Sequence, residues 1–363
     1  MFRGAAALLL GLGLVGGLVS PAAAEPPEKK DTASFADAID VALVSVVVRV
    51  VDIGGRPILG LKPEDLRVRV GKREIPVAGL DWVGEGAPEA PALSLKTPAP
   101  GAAEDLTAEA QASAPPTPGK LVVFFVQADL TPTRISGQLR LRPFTRDLLA
   151  TLAPGDRAAV VSYDSHLKLW QDFTADRDAT HATLDQAMLF GDEPGAAEIA
   201  RGEPVSLAEH FDRADALAAA SPERALEVVG RAMEPLPGEK TMIFLGWGLG
   251  SLAGTFGVQM TPAYKPAVKA LRAAHASVFV LDVTSADGHS LETGLEGIAE
   301  ATGGMYLKTF RLPGLATEVM AKAISGHYVL TLDRAQLGRG TGAISIELRE
   351  KTGTVLARPV ELR

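Results

Sequence analysis

Three kinds of hydrophobic pattern divide the chain. The first is a continuous apolar run, Leu121–Val126, within KLVVFFVQADLTPTRIS. A run so short and rich in Val and Phe predicts a strand buried on both faces, in the middle of a parallel sheet. Arg157–Tyr163, Lys240–Leu245, Ala276–Val283 and Met305–Phe310 read as further strands of this sheet. Between them the pattern predicts helices over Ile135–Leu152 (broken or kinked near Pro143), from the Thr174–Asp176 cap to Phe190, and over Leu207–Ala220. More helices are predicted over Ser221–Met233, Pro262–His275, Ser290–Thr302 and Leu315–Ser325; Ser221 sits at the N-cap position with Pro222 after it. This alternation predicts an α/β fold, a doubly wound, mostly parallel sheet with helices on both faces. Leu167–Phe173 is the exception. Only Asp164-Ser165-His166 joins it to the preceding strand, too short for a parallel return, so it is expected as an antiparallel edge.

The second pattern is β-branched or strictly alternating. Val41–Ile53 is VALVSVVVRVVDI, and LRVRV places Leu66, Val68 and Val70 on one face and Arg67 and Arg69 on the other. Glu74–Val77 and a strand ending near Trp82 follow, and His327–Asp333, Ala343–Arg349 and Thr354–Leu362 read as strands at the far end. Neither group alone has enough strands to bury a core, so the two ends are expected to combine in one β-sandwich-like module with the α/β domain inserted into it. Arg67 and Arg69 read as a solvated strand face.

The third pattern has no apolar period. Gly84–Gly119 is almost wholly Ala, Pro, Gly, Ser, Thr and Glu, and reads as a linker. At the start, Arg3 precedes the apolar run Ala5–Val19 and the small-residue site Ala22-Ala23-Ala24, the form of a secretory signal cleaved near Ala24. The expected division is therefore signal peptide 1–24, flexible leader 25–38, N-terminal β module 39–83, linker 84–119, α/β domain 120–325 and closing strands 326–363. Such a protein is exported, periplasmic or extracellular, with no membrane insertion in the mature form.

Charge and composition narrow the partners. The chain has 36 Lys+Arg against 44 Asp+Glu, a net charge of −8, and losing Arg3 with the signal leaves 35 against 44. With no basic cluster, nucleic acid is not expected as a partner. The chain has no cysteine, which excludes thiol chemistry and Cys-based zinc sites.

The strand and loop Leu121–Thr133, the hairpin GDRAAVVSYDSHLKLWQDFT, and the segments LPGEKTMIFLGWG and VFVLDVTSADG…LEGIAEATGG together resemble a von Willebrand factor type A domain. Their order, with β segments on both sides, resembles the VWFA-related exported proteins described in acidobacteria. The resemblance implies a metal-ion-dependent adhesion site, in which a DxSxS loop, a loop Thr and a later Asp hold Mg²⁺ through hard oxygen ligands. Asp129-x-Thr131-x-Thr133 matches the first element with Thr for Ser. A register two residues earlier, Gln127-x-Asp129-x-Thr131, loses the leading carboxylate. Trp247 stands where the later Asp belongs, and Ser221 is the nearest candidate for the loop Thr. The expectation is a degenerate site at Asp129, Thr131 and Thr133 holding no cofactor or a weakly bound Mg²⁺, with Asp129, Thr131 and Trp247 as partner-binding residues. Turn and helix-cap chemistry is the alternative role for Asp129 and Thr131.

No catalytic set is expected. Asp164-Ser165-His166 is read as a turn, since adjacent residues do not form a triad. His210, His275, His289 and His327 show no metal-ligand spacing, and the glycines of Gly246-Trp-Gly248-Leu-Gly250 lack the dinucleotide pattern. The function expected is an exported, non-enzymatic protein-binding or scaffold protein with an unidentified protein partner. The alternatives are an adhesion protein with a working metal site and, behind it, a metal-dependent hydrolase.

Overall fold

The alternating segments near the N-terminus form β1 (Leu43–Val51), β2 (Leu66–Val70), β3 (Arg73–Ile75) and β4 (Gly79–Gly84). The next elements are β5 (Leu121–Gln127), helix α1 (Pro132–Ala150), β6 (Arg157–Tyr163), β7 (Leu167–Thr174), α2 (Arg177–Met188), α3 (Arg213–Leu217) and α4 (Pro222–Met233). Then follow β8 (Lys240–Gly246), β9 (Ser251–Ala253), β10 (Gly257–Gln259), α5 (Tyr264–Ala273), β11 (Ala276–Asp282), α6 (Glu292–Thr302), β12 (Tyr306–Lys308) and α7 (Pro313–Ala323). The chain closes on β13 (Gly326–Asp333), the short helix α8 (Arg334–Leu337), β14 (Ile344–Leu348) and β15 (Thr354–Ala357). This computed structural model describes residues 43–84, 119–254, 257–337 and 344–359, all within one unit, Val41–Arg363. The expected signal peptide, leader and nearly all of the linker lie outside the described residues.

Six strands form the central sheet in the order β12-β11-β8-β5-β6-β7, parallel except for the antiparallel edge β7. Alternate residues of β5 explain why the sheet is covered twice. Leu121, Val123 and Phe125 share one core with Leu226 and Val229 of α4, Leu271 of α5 and Ile298 of α6. Val122, Phe124 and Val126 share the other with Leu141 and Leu148 of α1, Leu184 of α2 and Met320 of α7. The fold class is thus α/β with a mostly parallel sheet, as expected. The sequence order reverses between β5 and β8, so the C-terminal edge there is the switch point where ligands of such sheets bind.

The ends of the chain do combine. A four-stranded sheet has the order β15-β1-β13-β4, and a three-stranded one β14-β2-β3, so each mixes strands from both ends. Val48, Leu66, Val68, Tyr328, Leu330 and Ile344 are buried in one core between them. The Tyr328 hydroxyl donates to Ile58 O at 2.8 Å and accepts from Leu61 N at 3.2 Å, tying a connection to the core strand β13. Arg67 and Arg69 face Glu74 and Glu347 across the strands, which neutralises that face.

Three expectations are corrected. The helix expected to break at Pro143 runs unbroken from Pro132 to Ala150; Pro143 lies on its exposed side, and Pro132 occupies the first turn, where no amide donor is needed. The helix expected over Leu207–Ala220 shrinks to α3, because buried Asp172 accepts from Leu207 N at 2.6 Å, Gly202 N at 2.9 Å and Ser206 Oγ at 2.5 Å and holds this stretch as a turn. The Gly-rich stretch after β8 contains the hairpin β9–β10, its register set by Val258 opposite Leu252.

One buried ion pair joins the β sheets to the N-terminal edge of the α/β sheet. Arg49 of β1 is 1% exposed; its guanidinium pairs with Glu239, donates to Ser277 Oγ of β11 at 3.1 Å and lies 5.4 Å from the Phe279 ring. His327 of β13 adds Nδ1 at 3.0 Å from Glu239. Burial pushes the Glu239 carboxyl up, but Arg49, His327 and Lys120 outweigh it and bring it down from 4.5 to about 2. A carboxyl depressed on folding adds stability above its unfolded pKa, and that stability is lost as pH falls through the folded value. Glu239→Gln leaves Arg49 buried without its counter-charge. Denaturant unfolding at pH 7 should show a loss of about 3 kcal/mol, the lower end for a broken buried pair because Glu239 is partly exposed. The gap to wild type should close between pH 4.5 and about 2.

Candidate functional site

Parallel pairing of β5 with β8 runs from Leu121 opposite Lys240 to Val126 opposite Leu245, so the loops leaving both strands emerge side by side. Gln127, wholly buried at the end of β5, fastens the second loop to the first. Its Oε1 accepts from Trp247 N at 2.9 Å and Gly248 N at 3.3 Å, and its Nε2 donates to Gly248 O at 2.9 Å. Gln127 is therefore a clamp, and the earlier motif register built on it has no free ligand atom. Thr284 Oγ1, from the loop after β11, reaches Trp247 O at 3.3 Å.

Asp129 and Trp247 do come together, through a residue outside the motif. Arg134, in the first turn of α1, pairs its guanidinium with the Asp129 carboxylate and carries its Cζ over the Trp247 ring, 3.3 Å from the ring centroid. Asp129 also accepts from Thr131 N at 2.6 Å, an Asx turn that starts the helix. Partial burial pushes the Asp129 carboxyl up, but hydrogen bonds from Thr131 and the charge of Arg134 outweigh this and hold it below the usual carboxylate range. Trp247 is half-buried against the core, and its Nε1 has no hydrogen-bond partner among the described residues.

The rest of the motif lies on the exposed start of α1. Thr131 is the N-cap residue and Thr133 is exposed one turn below Ser136. Thr133 O accepts from Ser285 Oγ at 2.8 Å and Ser136 Oγ at 3.0 Å. This approach requires Gly137: a Cβ there would lie 1.6 Å from Val283 O, at the end of β11. Ser221 is not a fourth ligand, since its hydroxyl caps α4 by accepting from Arg224 N at 3.2 Å. As arranged, these residues do not fit Mg²⁺. The cation in contact with Asp129 is Arg134, and no second carboxylate touches it among the described residues. Mg²⁺ takes near-octahedral oxygen coordination and gives up water reluctantly, so one engaged carboxylate is a poor site.

A second polar group on the same edge escaped the sequence reading. Asp282 ends β11 and is 3% exposed. Its Oδ2 accepts from Tyr306 at 2.5 Å and faces His289 Nε2 at 2.8 Å, and its Oδ1 accepts from Thr284 N at 2.9 Å. Glu292 sits beside them, paired with Lys308 at 2.8 Å. Burial pushes Asp282 up, while His289, Tyr306 and Thr284 together hold it down. Asp282, His289 and Glu292 have the spacing of a metal group, with ligand atoms within 4.8 Å of one another, but Tyr306 and Lys308 already satisfy the two carboxylates. The only sequence hint was a carboxylate closing a buried strand, with His and Glu seven and ten residues on.

On the β6–β7 turn, Ser165 Oγ lies 3.0 Å from both His166 Nδ1 and Asp164 Oδ1, and His166 Nε2 lies 3.2 Å from Glu193. The single hydroxyl proton is contested by the carboxylate, and the turn is exposed, so the group behaves as turn chemistry.

No family model and no curated protein matches the chain. Solved structures similar in fold include a von Willebrand factor type A protein from Catenulispora acidiphila, 15% identical with TM-score 0.38, covering 68% of this chain and 66% of that one. Another is the von Willebrand factor domain of the type V pili tip protein Mfa5 from Porphyromonas gingivalis, 11% identical with TM-score 0.37, covering 58% and 96%. A third is proximal thread matrix protein 1 from the mussel byssus with a zinc-occupied adhesion motif, 12% identical with TM-score 0.36, covering 59% and 48%.

The pairing of Arg134 with Asp129 is open to titration. In carboxyl-selective NMR the Asp129 midpoint should lie below 3.8 in the wild type and rise in Arg134→Gln. An unchanged midpoint would show that the pair does not form in solution.

Proposed function

We propose that the chain is an exported, non-enzymatic protein-binding or scaffold protein that works through the C-terminal edge of its α/β sheet, where the adhesion-type motif is degenerate. The observation that carries this reading is the guanidinium of Arg134 held between Asp129 and Trp247. It supplies a fixed positive charge where a divalent ion would otherwise be needed, so the surface is complete without metal. Exposed apolar side chains on the same edge suit a protein partner: Leu130 is 71% exposed and Leu252, on the β9–β10 hairpin, 66%. No helix among the described residues is long and apolar enough to cross a membrane. Export rests on the form of residues 1–24.

Partner capture from the envelope fraction of the source organism, followed by affinity measurement, tests the reading. Binding should be the same with chelator as with Mg²⁺ or Mn²⁺. Trp247→Ala removes the surface on which Arg134 rests and should weaken binding by about 2 kcal/mol, as for a central interface anchor, and more than Asp129→Ala does. Micromolar metal affinity that vanishes in Asp129→Ala, together with chelator-sensitive binding, would instead establish a working metal site.

A further inference from the structure

We infer that a second binding site lies at the opposite, N-terminal edge of the central sheet: a cationic cleft between β1 and α5 that takes a polyanion of the phosphate class. The cleft measures about 880 Å³ and is walled by the start of β1, by Lys265, Lys269 and Arg272 of α5, and by Arg358 and Pro359 beyond β15. A water takes up about 30 Å³, so there is room for several linked phosphoryl groups. Lys265, Lys269 and Arg272 are four and three residues apart and share one face of α5 over about 10 Å of its length. Arg272 donates to Pro359 O at 2.5 Å, which holds the segment after β15 against α5. Lys265 and Lys269 are exposed, and neither they nor Arg358 makes a hydrogen bond or ion pair among the described residues.

Positive charge predominates around this cleft. Behind its wall stand Arg49 and Lys240, the latter 4% exposed and donating to Ala274 O at 3.0 Å. The carboxylates acting on Arg358, Lys240 and His275 among the described residues are Glu239 and Glu234. Glu239 is the partner of Arg49, and Glu234 lies exposed on the rim. Lys120 and Asp156, near Glu239, pair with each other at 3.7 Å and cancel. Lys265, Lys269, Arg358, Lys240 and Arg49 thus face two carboxylates, with Arg272 left out of the count, in a chain whose net charge is −8. These cations are scattered from residue 49 to residue 358 and gather only on folding, so the sequence shows no basic cluster. Arg358 carries the greatest imbalance. Burial and the charges of Arg49 and Arg272 outweigh Glu239 and bring its guanidinium from 12.5 down to about 10, and its Nη1 is buried with no hydrogen-bond partner. An oxyanion lodged beside it relieves the like-charge crowding. Lysine point charges on one wall and a guanidinium fork on the other suit tetrahedral phosphoryl groups, whose oxygens point in several directions, better than a planar carboxylate.

Calorimetric titration of the full chain at low salt with tripolyphosphate, monophosphate and citrate tests the site. Tripolyphosphate should bind about tenfold tighter than monophosphate, because it reaches several of the cations at once. Lys265→Gln/Lys269→Gln, at exposed positions where folding is not at stake, should weaken it about tenfold. Lys72→Gln, equally exposed on the β2–β3 turn, should change nothing. His275 gives a local readout. Burial, with the charges of Arg358 and Lys240, holds its imidazole below 6.5, and a bound anion should raise its NMR titration midpoint by stabilising the imidazolium. Absence of tripolyphosphate binding, equal binding by the double lysine variant, an equal loss in Lys72→Gln, or an unmoved His275 would overturn the site. Citrate bound as tightly as tripolyphosphate would overturn the assignment to the phosphate class.

Discussion

Everything at the candidate site depends on β5 and β8 running side by side in the same direction. That pairing places the end of one buried strand next to the end of another that lies more than a hundred residues away. Gln127 then converts neighbouring strand ends into a fixed geometry, because its amide satisfies backbone groups at Trp247 and Gly248 that would otherwise be left buried and unpaired. Trp247 cannot drift from Asp129 without breaking these bonds.

Within that frame, the cation on the Asp129 carboxylate is the guanidinium of Arg134, which differs in kind from a divalent ion. A guanidinium brings one charge rather than two and a planar set of donors rather than an octahedron. It also costs no binding equilibrium, since it is part of the chain. The cation–π contact with Trp247 adds about 0.5–2 kcal/mol, depending on desolvation. Asp129 is thereby turned inward, as the counter-charge of Arg134. Thr131 and Thr133 are left as the exposed start of a helix.

Much of the fold was legible because it rests on local pattern. The all-apolar β5, the three-residue connection that forces β7 to be antiparallel, and the Ser221-Pro222 start of α4 each carry their cause in adjacent residues. The joining of the chain ends could be read from a shortage of strands. What was not legible depended on long-range partners. Asp172 unwinds the turn at Leu207 from 35 residues away, and nothing near Leu207 announces it. The site was half legible: Asp129 and Trp247 stood out by motif and by position, but Arg134 looked like an ordinary helix residue and Gln127 like the end of a strand. The group around Asp282 required the parallel pairing of β11 with β12, which brings Tyr306 and Lys308 alongside.

The central claim is that Arg134, and not a metal ion, is the cation on Asp129. A crystal of the full chain grown without chelator and soaked in Mn²⁺, with anomalous data collected, tests it most directly. The account predicts the Arg134 guanidinium between Asp129 and Trp247, with no anomalous peak within ligand distance of the Asp129 carboxylate. A Mn²⁺ peak on that carboxylate, with Arg134 turned away from Trp247, would contradict it.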